Sequence, residues 1–231
     1  MRLGIFGGLG KLGSAITEVA SSHPKISAVI IKDTKDDLSI HDFLKRCDVC
    51  IDTSSAQATQ SLCYELSLPY LSEDLKPLVV ASTGHAVAVE ALVSPVSKHI
   101  PVMYLPNASL SVWHVLQCAI QLAQRLGESW DVHIQDYHHK EKKDVPSGTV
   151  VSFVASLESA CPWLKDRISI SSIRGGKGMI ENAIIFSGDH ETVRLSHQAL
   201  NRSVFAKCLI EAALWISTQP PQYYTIKDYL T

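Results

Sequence analysis

The opening of the chain constrains its fold more than any other stretch. Arg2-Leu3-Gly4-Ile5-Phe6 is a short apolar run of strand type, and it leads into Gly7-Gly8-Leu9-Gly10-Lys11-Leu12-Gly13. Leu12, Ala15, Ile16, Val19 and Ala20 then recur at helical spacing until His23-Pro24 ends the pattern. A strand, a glycine-rich turn and a helix make the first half of a dinucleotide-binding unit, because glycines permit the tight turn and let a pyrophosphate approach a helix N-terminus. The spacing is Gly-x-x-Gly-x-x-Gly, with Gly7, Gly10 and Gly13 as candidate pyrophosphate contacts and Lys11 and Leu12 between them. An ordinary strand-to-helix turn is the competing reading.

Beyond this unit, apolar strands are expected at 26–31, 49–51, 78–80 and 100–105, with helices near 11–22, 56–67 and 86–97. That alternation predicts an α/β, Rossmann-type, doubly wound parallel sheet over residues 1–108. Val112, Val115, Leu116, Ala119, Leu122, Ala123 and Leu126 then share one helical face that stops at Gly127. A strand at 131–134, a polar loop and a helix beginning at Ser147 follow. Strands at 168–173, 183–186 and 191–197 succeed one another with only turns between. Residues 109–202 therefore read as a second, α+β domain with a mixed sheet. A last amphipathic helix at 204–217 precedes a tail containing Pro220-Pro221 and Tyr223-Tyr224.

With 231 residues, 46% of them hydrophobic, the chain can bury a substantial core. A formal charge of −2 gives no reason to expect nucleic acid or an anionic membrane as partner. No apolar run approaches the roughly 20 residues a membrane span needs, and no signal peptide precedes the first strand. The six cysteines lack framework spacing. Cys47-Asp48-Val49-Cys50 has no second pair to complete a zinc site, so reduced, mostly buried thiols, no metal and a cytoplasmic location are expected.

The richest stretch for chemistry is Asp136-Tyr137-His138-His139-Lys140-Glu141-Lys142-Lys143-Asp144-Val145-Pro146-Ser147-Gly148, followed by Thr149. Ser147 is a plausible N-cap, which would leave the N–H groups of Gly148 and Thr149 free for an anion. Imidazoles and an ammonium beside such a site suggest proton transfer to a negatively charged small molecule. Taken by itself, the run fits a solvated basic loop with a helix cap equally well.

Together the two motifs resemble the dihydrodipicolinate reductase (4-hydroxy-tetrahydrodipicolinate reductase) family. That family begins with Gly-x-x-Gly-x-x-Gly and has a central Glu-x-His-His-x-x-Lys-x-Asp-x-Pro-Ser-Gly-Thr. The chain matches it at His138, His139, Lys142, Asp144, Pro146, Ser147, Gly148 and Thr149, with Asp136 in place of the Glu. Ile51-Asp52, Ala81-Ser82-Thr83-Gly84, Asn107-Ala108-Ser109, Arg174-Gly175-Gly176 and Asn201-Arg202-Ser203 fall in the family's order.

The resemblance implies NAD(P)H-dependent reduction of a cyclic imine dicarboxylate in the diaminopimelate and lysine route. Hydride would go to ring carbon 4 and a proton to carbon 3. His138 would be the general acid, its ordinary pKa near 6.5 suiting donation at neutral pH. Lys142 would pair with a substrate carboxylate, and His139, Ser147, Gly148 and Thr149 would bind the substrate. Ala81, Ser82 and Thr83 would lie beside the nicotinamide ribose, with Asn107 and Ala108 at the domain junction. The resemblance further implies that 203–231 completes the nucleotide domain, and that 109–202 assembles a homotetramer through its sheet.

The chain departs from the family pattern at Ala81, Ala108, Asn182 and Ser55, and it is shortened between Lys32 and Asp48 and between Leu157 and Ile168. Lys32, aligned with the family's acidic residue at the end of the second strand, and Lys11 favour NADPH over NADH, although a one-residue shift would put Asp33 there instead. His190 reads as a hairpin turn and His197 as a packed sheet histidine, while His85, His114 and His133 are isolated. The rival functions are a semialdehyde-type dehydrogenase, which needs a cysteine nucleophile, and a non-catalytic nucleotide sensor.

Overall fold

The computed structural model describes residues 1–33, 36–68, 75–177 and 180–230. It divides into two compact units, Met1–Ala108 with Arg202–Thr231, and Ser109–Asn201. The first unit runs β1 (Arg2–Phe6), α1 (Lys11–Ala20), β2 (Ala28–Lys32), α2 (Ile40–Arg46), β3 (Val49–Asp52), α3 (Ala56–Leu66), β4 (Leu78–Val80), α4 (Val89–Ser97) and β5 (Val102–Tyr104). The second contains α5 (Leu110–Leu126), β6 (Asp131–His138), α6 (Gly148–Ala160), β7 (Ile168–Arg174), β8 (Ile180–Ser187) and β9 (Thr192–Ala199). The chain then rejoins the first unit as α7 (Ser203–Ile216), β10 (Tyr223–Tyr224) and α8 (Ile226–Leu230).

In the first unit six parallel strands lie in the order β10-β5-β4-β3-β1-β2. Every residue of β3 and β4 is buried, as expected of central parallel strands covered on both faces. The order reverses between β1 and β3, and in an open α/β sheet the crevice at that point receives the ligand. The turn after β1 has the geometry its glycines imply. Gly7 adopts φ +82°, and a Cβ there would meet backbone atoms of Ser54 at 2.7 Å. Gly13 lets α1 close onto the turn, since a Cβ there would meet the Gly7 carbonyl oxygen and Gly8 Cα at 2.6 Å.

The second unit has the mixed sheet β7-β6-β8-β9, with β6 parallel to β7 and antiparallel to β8. Alternate residues of β6 are buried, so one face of the sheet is covered. Val112, Leu116, Ala119 and Ala123 of α5 and Val150, Phe153 and Leu157 of α6 pack there on Val132, Ile134, Ile184 and Phe186. His190 lies in the β8–β9 hairpin turn, closed by Gly188 N–H to Glu191 O. The segment before β7 keeps only a 3₁₀ turn at Pro162–Leu164.

Four differences from the sequence expectation matter most for the two units. β6 continues past Ile134 to His138 because both neighbouring strands pair along that length, so Asp136 and His138 are strand residues rather than loop residues. β2 is displaced two residues toward the C-terminus at its start and includes Lys32. α2 forms within the shortened segment, with the Ser39 side chain capping Asp42 N–H and Phe43 and Leu44 buried, while residues 34 and 35 of that segment lie outside the described residues. Tyr223-Tyr224 is a sixth strand paired with β5.

Because the atoms facing Gly13 are backbone, Gly13→Ala is expected to cost about 1–3 kcal/mol of stability, read as a lower urea midpoint with an unchanged slope. An unaltered midpoint would show that the turn can relax.

Candidate functional site

The first unit carries a cleft of ≈ 760 Å³ at the switch point, lined in part by Gly7, Gly10, Lys32, Asp33, Ser54 and Ser55. Gly10 stands at the N-terminus of α1, with Lys11 and Leu12 opening the helix. The Gly7 N–H donates to Lys32 O at 2.8 Å, which fastens the turn to the end of β2. A glycine-lined cleft at a helix N-terminus fits a dinucleotide pyrophosphate.

The two residues at the end of β2 differ sharply in environment. The Lys32 side chain is only 11% exposed, and its ammonium is paired with Asp36 at 2.7 Å and donates to the Asp33 carbonyl at 2.7 Å. It is not the open surface cation that a 2′-phosphate contact calls for. Asp33 instead turns its carboxylate to the glycine-rich turn, accepting from Leu9 N–H at 3.1 Å.

Under the Ala81-Ser82-Thr83 segment lies a buried carboxylate that carried no role in the sequence reading. Asp52, fully buried at the end of β3, accepts from Ser54 N–H at 2.9 Å, Ser54 Oγ at 2.5 Å, Thr59 Oγ1 at 2.5 Å and Ser82 Oγ at 3.1 Å. Ser82 also meets His85 Nε2 at 3.1 Å, so its hydroxyl points into the protein and His85 is not isolated. Ala81 and Ala108 are buried, Asn107 is half-buried, and Thr83 is exposed.

The second unit gathers the central motif at the carboxyl end of β6. Asp136, fully buried, is the organising group. Its Oδ2 accepts from Arg174 at 2.8 Å, from Ser147 N–H at 2.9 Å and from Ser172 at 3.1 Å. Its Oδ1 lies 2.8 Å from His138 Nδ1, an ion-pair contact out of line for a hydrogen bond. Arg174 also donates to the Asp136 carbonyl at 3.1 Å and the Asp144 carbonyl at 2.7 Å, tying β6 to the following loop. The end of that loop is fixed by Ser147, whose hydroxyl caps α6 at Val150 N–H. Sequence reasoning placed Arg174 only within a motif; nothing in the pattern marked it as a partner of Asp136.

Charge in this cluster is set by burial and by neighbours. Burial alone would raise the Asp136 carboxyl, but Arg174 and the Ser147 N–H outweigh it and hold it below the ordinary carboxylate value. Burial lowers the His138 imidazole and Lys142 and Arg174 add to that. Asp136 opposes them, and the net value lies below 6.5. His138 is thus mostly neutral near pH 7, where the sequence alone suggested an imidazole at its ordinary value. Lys142 is paired with Asp144 at 2.9 Å. Burial raises the Asp144 carboxyl, but Lys142 and the Gly148 N–H bring it below its ordinary value. The α6 N-terminus, expected to be open to an anion, already faces an internal carboxylate, and Thr149 has a partner of its own. His139 is half-buried at the start of the turn that its carbonyl closes with Lys142 N–H.

A dinucleotide cleft in one unit and a buried imidazole–carboxylate pair in the other define a nicotinamide-dependent oxidoreductase. Comparison with known proteins gives the family. A profile for the N-terminus of dihydrodipicolinate reductase matches residues 1–108, and one for its C-terminus matches 111–230. A 4-hydroxy-tetrahydrodipicolinate reductase of Zymomonas mobilis is 31% identical over 100% of this chain and 97% of its own. One from Campylobacter jejuni is 31% identical over 100% and 99%. Among solved structures, a dipicolinate-bound dihydrodipicolinate reductase from Paenisporosarcina sp. TG-14 shares the fold, with a TM-score of 0.77 at 19% identity over 97% of both chains. A C. glutamicum DAP dehydrogenase in complex with DAP shares it at a TM-score of 0.58 and 10% identity, over 98% of this chain and 92% of its own. The chain belongs to the dihydrodipicolinate reductase family.

Asp136→Asn tests the electrostatics of the cluster. Without the anion that opposes burial, Lys142 and Arg174, the His138 titration followed by NMR is expected to move to lower pH. Loss of the buried counterion of Arg174, which keeps only its carbonyl acceptors, is expected to cost about 3–5 kcal/mol of stability. A titration at or above the wild-type midpoint would show that Asp136 does not set the charge of His138.

Proposed function

We propose that the chain reduces 4-hydroxy-tetrahydrodipicolinate (dihydrodipicolinate) to tetrahydrodipicolinate in diaminopimelate and lysine synthesis. The observation that carries this reading is the His138–Asp136 pair set beside Lys142 and the Ser147-capped helix, a proton donor next to fixtures for a dianion. Loss of water from the 4-hydroxy compound gives the conjugated dihydrodipicolinate, and the dinucleotide, when bound, would supply the hydride that ring carbon 4 of that species accepts. His138 gives the proton that carbon 3 takes up as charge accumulates there. Lys142 exchanges Asp144 for a substrate carboxylate, and the Gly148 and Thr149 end of α6 receives the other, with His139 alongside. The two added anions oppose the groups that lower the His138 pKa, so the substrate itself promotes protonation of its acid.

The semialdehyde-dehydrogenase reading has less support. Five of the six cysteines are buried, and burial raises Cys47 to about 11 and Cys63 to about 12, leaving neither as a ready thiolate. Cysteines held as thiols rather than disulfides fit a cytoplasmic setting, and no helix among the described residues is long and apolar enough to cross a membrane. For assembly we infer a homotetramer through the sheet of the second unit, which analytical ultracentrifugation tests.

His138→Gln is expected to lower kcat by roughly 10²–10⁴, and Lys142→Ala to lose most turnover, both with intact nucleotide binding. The assay follows cofactor oxidation with substrate made by a coupled synthase, and near-normal turnover in either variant removes that residue from the mechanism. The acid works protonated, so kcat/KM should fall with rising pH from a midpoint below 6.5, while kcat, reporting the substrate complex, should hold to higher pH. Coincident midpoints would contradict substrate-assisted protonation.

Both cofactors are used in this reading. The neutralised Lys32 and the Asp33 carboxylate at the turn support NADH over NADPH, in place of the NADPH preference expected from sequence. Lys32→Ala should leave the kcat/KM ratio of the two unmoved, and Asp33→Asn should shift it toward NADPH. A wild-type NADPH preference that Lys32→Ala abolishes would restore Lys32 as the phosphate ligand.

A further inference from the structure

Among the described residues of the first unit Asp52 is the only buried carboxylate, and it takes no part in the reaction described above. Its two oxygens receive four donors. The Ser54 N–H and hydroxyl reach Oδ1, and the Thr59 and Ser82 hydroxyls reach Oδ2. None of these donors is charged, and no ion pair with a lysine or arginine reaches Asp52 among the described residues. Asp136 differs, since Arg174 faces it at 2.8 Å. Hydrogen bonds from neutral groups hold a buried anion in place without cancelling its charge. The field extends to its neighbours. Burial raises the Cys63 thiol to about 12, and the Asp52 charge adds to that rise.

Strand order places that charge under one half of the dinucleotide. β3 lies next to β1 on the side away from β2, and β4 follows it. The pyrophosphate belongs to the glycine turn after β1, and the adenosine ribose to the carboxyl end of β2, where Asp33 stands. The nicotinamide half must then run the other way, over the carboxyl ends of β3 and β4. Asp52 ends β3, its Oδ1 holds Ser54 against the turn at Gly7, and its Oδ2 holds Ser82 just beyond β4. The oxidised nicotinamide ring carries a positive charge, and the reduced ring is neutral. We propose that Asp52 is a charge-selecting residue: its uncancelled negative field favours the oxidised dinucleotide over the reduced one. The same field holds the positive charge that grows on the ring as hydride departs to the substrate. This inference rests on the dinucleotide cleft and is independent of which substrate is reduced.

Asp52→Asn removes the charge and keeps the shape. The network accommodates an amide, because Oδ1 still accepts from the Ser54 N–H while Nδ2 donates to the Thr59 and Ser82 oxygens, hydroxyls being acceptors as well as donors. Thr59 keeps the Ser55 carbonyl at 3.1 Å as an acceptor for its own proton. The Kd values of NAD+ and NADH are measured by calorimetry on the full chain. Opposite charges about 10 Å apart, at an effective dielectric of about 20, attract enough to change affinity about tenfold. The ratio of the NAD+ Kd to the NADH Kd is therefore expected to rise about tenfold in Asp52→Asn. Ser82→Ala loosens the same loop and leaves the charge, so its ratio should stay within about twofold of wild type. Equal changes in both constants for Asp52→Asn, or a ratio that moves as far in Ser82→Ala, would assign Asp52 to architecture alone and overturn the proposal. Should Asp52→Asn not fold, Asp52→Ser, smaller and also neutral, is judged by the same ratio. Wild-type turnover of the synthase-made substrate is measured separately. Its absence would remove the substrate reading, while the two dissociation constants would still decide the role of Asp52.

Discussion

The second unit is organised around one buried anion. Asp136 would be costly to bury alone, and it remains ionised because Arg174, Ser172 and the Ser147 N–H surround its Oδ2. The partners come from three elements. Arg174 and Ser172 come from β7, Ser147 from the cap of α6, and His138 from two residues further along β6. Removing the carboxylate would leave the guanidinium without its buried counterion and detach the α6 cap from the strand that carries His138. The position of His138 and that of the Ser147-capped helix are therefore set by the same group.

Much of the fold was legible because it rests on local pattern. The Gly7-Gly10-Gly13 turn, the fully apolar Val49-Cys50-Ile51 and the single helical face from Val112 to Leu126 each encode an element without reference to the rest of the chain. The misses share one physical cause. β6 extends to His138, and Tyr223-Tyr224 becomes a strand, because neighbouring strands supply hydrogen-bond partners. Pairing over a long sequence separation leaves no periodic trace in the segment itself. The polar run from Asp136 read as loop for the same reason: its alternation of buried Asp136 and His138 with half-buried Tyr137 looks like a strand only once the buried positions are known to hold charge.

For the site, residue types were legible and their states were not. The His138, Lys142 and Ser147 motif could be read from spacing, but the depressed imidazole pKa follows from burial and from Arg174, which is 36 residues distant in sequence. Lys32 shows the limit more sharply. Its identity suggested a phosphate ligand, and its position at the end of β2 was nearly right. Asp36, one helical turn away in sequence, neutralises it, while the adjacent Asp33 faces the glycine-rich turn. A one-residue ambiguity in register exchanges the sign of charge presented to a ribose, and composition cannot resolve that.

The two units solve a common problem in a common way. Asp52 closes β3 and Asp136 lies near the end of β6. Each is fully buried, and each receives donors from the polypeptide that immediately prepares a helix: Ser54 before α3, and Ser147 before α6. A carboxylate in such a place fixes the strand-to-helix connection by several charge-assisted bonds at once, so the loop residues that face a ligand need little rigidity of their own. This explains why Ser82 can direct its hydroxyl inward while the adjacent Thr83 lies at the surface, and why Asp144 remains half-exposed beside Lys142. Inner anions hold the architecture, whereas Asp144 lies at the surface with its carboxylate on Lys142. Sequence alone does not separate those two kinds of aspartate, because the difference lies entirely in what surrounds them.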